Sequence, residues 1–126
     1  MNQIELITGL PEWKWKPNSE KELELTGQQL VNVSDFVWRV GVVAVVGFIH
    51  TSYTSPPWMW FLLAEGVRIK DLIDFRRLAL QIPKGTLTAV ASDFGLGLKF
   101  ARVYNFVETD EEVTDAGRKY KIMRKI

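Results

Sequence analysis

The stretch TLTAVASDFGLGLKFARVYNF, residues 86–106, reads as a strand, a cap, a helix and a stop. Residues 86–91 are short and β-prone, and Pro83-Lys84-Gly85 before them is a turn signal. Ser92-Asp93 offers side-chain oxygens to the free N–H groups of a following helix, so Asp93 is the expected cap. Within residues 94–104, Leu96, Phe100 and Val103 recur at helical spacing while Lys99 and Arg102 share the other face. Asn105-Phe106 closes the unit, because Asn tolerates the left-handed backbone that ends helices. Gly95 and Gly97 each cost about 1 kcal/mol inside a helix relative to Ala. Close passage of a ligand or close packing against a neighbouring strand or subunit is the expected return.

Working outward, residues 107–113 and 118–125 pair as a hairpin around Asp115-Ala116-Gly117. The basic run Arg118-Lys119, Lys121 and Arg124-Lys125 reads as the solvated face of an edge strand. Upstream, residues 67–82 read as one helix with a polar stripe at Lys70, Asp74, Arg77 and Gln81. Arg76 falls in its apolar arc and is expected to be more buried than Arg77 or Lys70. Before it come three strands, at 36–40, 42–51 and 58–64. The middle one is nearly all apolar, hence central and covered on both faces. Gly47 inside it marks a bulge or a close approach, and Trp58 and Trp60 share one face of the next strand. Ser19-Glu20-Lys21-Glu22 fits a capping box for an early helix. Ile4, Leu6 and Ile7 suggest a short first strand. Trp13 and Trp15 alternate with Lys14 and Lys16, as they would in a half-exposed arm covering the core or docking on another chain.

A chain of 126 residues can bury one core, and a single domain spanning 1–126 is expected. The net charge of +1 supplies no bulk field for nucleic acid or anionic lipid, so neither is an expected partner. Cysteine is absent and His50 is the one histidine, which excludes thiolate chemistry and a His-cluster metal site within one chain. The apolar run 40–49 is shorter than the roughly 20 residues a spanning helix needs, and the start of the chain lacks a signal-peptide pattern. A cytoplasmic location is expected, in a host cell or in a virion for a phage component.

Strand, Asp93 cap, helix, Asn105-Phe106 and a two-stranded tail resemble the end of the GNAT N-acetyltransferase fold. Val45-Val46-Gly47-Phe48 and Trp60-Phe61-Leu62 extend the likeness upstream, so that it covers about the last two-thirds of the chain. The chain looks most like the short, divergent GNAT-like proteins of tailed bacteriophages. The resemblance implies an α/β fold, a mostly antiparallel twisted sheet with helices on both faces. It also implies that the sheet splits beside the strand of Trp58 and Trp60, and that acetyl-CoA is the cofactor, with no metal.

The family holds the pyrophosphate of acetyl-CoA on a glycine-rich loop opening a helix, where free N–H groups and the dipole favour an anion. The matching positions are Gly66, Val67, Arg68, Ile69, Lys70, Asp71 and Leu72, and only Gly66 is a glycine. Ile69 and Leu72 are expected to put side chains where bare backbone is needed, and Asp71 adds negative charge. The family's acid, a Tyr five residues before the closing Phe, falls on Ala101. Tyr104 is the nearest substitute, about 300° around the helix at roughly 100° per residue. Glu65 and His50, each at a strand end, are the remaining candidate bases. The expected function is a GNAT-like protein with a degenerate acetyl-CoA loop and little or no transfer activity; the alternative is an active N-acetyltransferase with an unusual loop. A second copy or a protein partner is expected to dock through Trp13 and Trp15 or through Trp58 and Trp60.

Overall fold

A computed structural model describes residues 4–14, 27–50, 55–115 and 117–126. Seven strands form one sheet in the order β1-β2-β3-β4-β5-β7-β6. They are β1 (Ile4–Ile7), β2 (Phe36–Val40), β3 (Ala44–Ile49), β4 (Trp58–Leu63), β5 (Leu87–Ala91), β6 (Phe106–Asp115) and β7 (Arg118–Lys125). The helices are α1 (Gly27–Val33), α2 (Ile69–Asp74) and α3 (Gly95–Val103), and a 3-10 turn spans Arg76–Gln81. Every neighbouring pair is antiparallel except β4 and β5, which are parallel. This is the mostly antiparallel α/β architecture expected. The capping box at Ser19 and Glu22 lies outside the described residues, as does Trp15.

The apolar runs of β3 and β4 are explained by cover on both faces. On one face Val46, Phe48, Phe61 and Leu63 meet Leu72, Phe75, Leu78 and Phe100 from the crossover and α3. On the other, Val45, Trp60 and Leu62 meet Leu30 and Val31 of α1, with Trp13 half-buried beside them. Gly47 is a close approach and not a bulge: the register runs unbroken through it, and the Trp60 indole fills the space a Cβ would need. Gly41, at φ +53°, turns β2 into β3 with the Phe75 ring against it. Gly97 packs on the ring of Phe94, the cap residue of its own helix, and not on a neighbouring strand. Asn105 ends α3 in the left-handed region, at φ 67°.

Five expectations are corrected. The crossover is not one helix: α2 stops at Asp74 and a 3-10 turn follows. Its buried residues Leu72, Phe75, Leu78 and Ile82 step mainly by three, the period of a 3-10 helix. An uninterrupted α-helix would hold Arg76 about 40° from Leu72, inside the apolar arc. The tighter winding turns it out, and Arg76, Arg77 and Lys70 are all exposed. Asp93 does not cap α3: the cap residue is Phe94, with no side-chain cap bond, and Asp93 pairs with Arg118 at 2.9 Å. The buried face of α3 is Gly97, Phe100, Ala101 and Tyr104, with Leu96 and Val103 only flanking it. Finally, the basic run lies on β7, an inner strand between β5 and β6, and the edge is the acidic β6. There Lys121 reaches Glu108 at 3.3 Å, while Lys125 is buried with its Nζ donating to the Ile126 carbonyl.

Candidate functional site

The parallel pair at the centre of the sheet is joined at one register position, Trp58↔Leu87. Leu87 donates its N–H to the Pro57 carbonyl at 3.0 Å, and the Thr88 hydroxyl donates to the Met59 carbonyl at 2.8 Å. Beyond this point the ladder between β4 and β5 is not continued. The corner where β4 leaves the sheet is built from the residues the family resemblance singles out. Glu65 is exposed and gives its backbone N–H to the Lys14 carbonyl at 2.8 Å, which ties the N-terminal arm to this corner. Gly66 is exposed with nothing close to its Cβ position, and Val67 is buried. Arg68 is extended and donates its N–H to the Asp71 carboxylate at 2.9 Å. Ile69 and Lys70 face solvent. Leu72 does not stand in the way of a ligand as expected; it is fully buried in the core, because the helix turns it onto the sheet.

The first turn of α2 already carries an anion, its own Asp71, which accepts the amide a phosphate oxygen would take. The helix is also only six residues long, so little dipole accumulates behind it.

The candidate acid and base groups are not brought together. β3 and β4 are antiparallel with Ile49 opposite Trp58, so His50 lies at the opposite end of β4 from Glu65. Six strand residues separate them, roughly 20 Å at 3.3 Å per residue. The His50 ring Nδ1 and backbone N–H both meet Asp35 Oδ2, at 2.7 and 3.2 Å. Tyr104 is fully buried, and its hydroxyl donates to the Leu72 carbonyl at 2.7 Å. Burial pushes its ionisation well above the ordinary tyrosine range. Among the described residues no group of three or more His, Cys, Asp or Glu could hold a metal, and no helix is long and apolar enough to cross a membrane.

The opposite face of the sheet carries a pocket of about 330 Å³. Trp58 and Trp60 from β4, Ala89 from β5, and Tyr120 and Ile122 from β7 line it, with Asp115 of β6 among the lining residues. Sequence reasoning paired the two tryptophans on one face but missed the rest. The available signal was the alternation that puts Ala89, Tyr120 and Ile122 on that same face, which needs the β5–β7 register to be read.

No family model matches the sequence, and no curated protein does. Among solved structures, the chain is similar to a protein of Bordetella pertussis assigned to the GnaT family of acetyltransferases. The identity is 14%, the TM-score 0.51, and the match covers 72% of this chain and 64% of that one. Two chimeras of the Vibrio cholerae spermidine N-acetyltransferase SpeG with hSSAT are 16% identical, with TM-scores of 0.48 and 0.49. They are matched over 75% and 72% of this chain and 68% and 64% of theirs. This chain thus spans about 64% of the length of the Bordetella protein, and what the likeness shows is the fold, that of the GNAT acetyltransferases.

Proposed function

We propose that this chain is an acetyltransferase-fold protein with little or no acetyl transfer of its own, of the kind tailed bacteriophages carry. It works by contact with another protein chain, a second copy or a partner, through the arm that bears Trp13 and Trp15. The observation that supports this reading is the Asp71 carboxylate seated on the Arg68 amide, where an active enzyme of this fold would hold a phosphate. The separation of Glu65, His50 and Tyr104 agrees with it. Calorimetric titration with acetyl-CoA and with CoA is the test. No saturable heat is expected through the micromolar range. A dissociation constant in the low micromolar range, about −8 kcal/mol, overturns the proposal.

One observation favours a second reading, an active acyl-CoA-dependent transferase with an unusual loop. β4 and β5 are joined at a single position, and the opening between them is the feature a bound acyl-CoA arm exploits in this fold. The same titration separates the two readings.

A further inference from the structure

We infer that the pocket on the α1 face of the sheet is a binding site for a small aromatic molecule that carries no negative charge. It does not rest on the proposed lack of acetyl transfer, although Trp58 and Trp60 of β4 and Ala89 of β5 place the pocket beside the opening between those two strands.

The pocket is built from strand alternation. Ala89 and Ile122 are register partners on β5 and β7, and the small Ala89 gives the floor its depth. Trp58 and Trp60, two residues apart, form one wall. Tyr120, opposite Ala91, and its β6 partner Val113 form the other.

Two of the aromatic walls are held by contacts outside the pocket. The Trp60 Nε1–H donates to the Ser34 hydroxyl at 2.7 Å, and that hydroxyl donates to the Leu30 carbonyl at 2.6 Å. The same indole lies flat against Gly47. Its one polar atom is therefore spent elsewhere, and it offers the pocket hydrocarbon. Tyr120 carries the Arg118 guanidinium 5.8 Å from its ring centre, and Arg118 is in turn held by Asp93 at 2.9 Å. Such fixed walls lose little freedom when a ligand arrives, which is the condition for tight binding by a small molecule.

Size and charge select the occupant. A volume of about 330 Å³ is at the lower end for small-molecule sites, and a lining that is mostly apolar and aromatic favours apolar guests. Aromatic walls favour an aromatic guest, offset-stacked or edge-on. Asp115 contributes the charge. Its register partner Arg118 is committed to Asp93, so among the described residues Asp115 has no ion-pair partner. A carboxylate or phosphate on the ligand meets the Asp115 carboxylate, while the Arg118 guanidinium beside Tyr120 is already paired with Asp93.

The test uses the whole chain with 2-naphthol and 2-naphthoate, a neutral and an anionic molecule of nearly the same shape, followed by nitrogen–proton NMR. 2-Naphthol is expected to shift the indole N–H signals of Trp58 and Trp60 and to leave that of Trp38, on the other face, unmoved. 2-Naphthoate is expected to bind at least about tenfold more weakly, and Asp115→Asn to narrow that gap to about threefold or less. Ala89→Phe fills the floor and abolishes both shifts. Should that variant fail to fold, Val113→Trp blocks the same space from the exposed edge strand and gives the same loss. Unshifted Trp58 and Trp60 signals at saturating 2-naphthol overturn the inference. So do equal affinities for the two naphthalenes, or binding that survives the folded blocking variant.

Discussion

Tyr104 shows how a single side chain can look like chemistry in sequence and turn out to be structure. Its ring meets Phe100 edge-on at 4.7 Å, and its hydroxyl satisfies a buried carbonyl of α2. That one bond ties α3 to the crossover. With no water to solvate a phenolate, the group ionises well above the ordinary tyrosine value of about 10. The fold thus stabilises the protonated form. Its contribution is present in full below about pH 10 and is lost as pH rises from there through the folded value. Tyr104→Phe is expected to cost about 1 kcal/mol at neutral pH, since Phe75 also donates to the Leu72 carbonyl. It should also flatten the alkaline fall in stability. Urea melts between pH 7 and 11 read both effects, and an unchanged alkaline slope in the variant contradicts the assignment.

At the level of elements, the crossover decides which arginines matter. The shift from α to 3-10 winding at Phe75 puts Leu78 in the core and leaves Arg76 in solvent. Arg76→Ala should therefore change stability by less than about 0.5 kcal/mol. Leu78→Ala, which opens a cavity at a fully buried site, should cost about 2–5 kcal/mol. A loss above 1 kcal/mol for Arg76→Ala in urea melts would restore the single-helix reading. The hairpin of β6 and β7 manages its exposed edge by charge and irregularity. A register shift lies between Glu108 and Glu112, and acids line the outer strand. Such features discourage pairing with another sheet. Glu108 is held below the ordinary carboxylate range, first by its hydrogen bond from Arg102 and then by Lys121.

For the whole molecule, the N-terminal arm is the part whose role is most exposed to test. β1 pairs with β2 over four residues, Trp13 packs into the α1-side core, and Lys14 accepts the amide of Glu65. Removing residues 1–16 should therefore lower the urea midpoint, where a detachable arm would leave it unchanged. Self-association through the same arm predicts a mass above that of a monomer at high micromolar concentration in light scattering. A monomeric mass there removes the second-copy form of the proposed function.

Local physics alone placed much of this chain. The Val-rich run before Gly47, the turn at Gly41, the stop at Pro83 and the left-handed Asn105 each depend on backbone preference or two-residue alternation. Both are properties of a few neighbouring residues. The β6–β7 hairpin was legible for the same reason. What the tertiary structure decided were matters of pairing between distant segments. Asp93 could cap a helix or meet Arg118, and only the approach of β7 to β5 selects the second. The basic run could sit on an edge or inside, and strand order, not composition, settles it. Glu65 and His50 each end a strand, but antiparallel pairing sends them to opposite ends. The pocket joins residues from β4, β5, β6 and β7 that share a wall only after the sheet forms. Side-chain partners of this kind are chosen by long-range register, which a one-dimensional pattern of hydrophobicity does not encode.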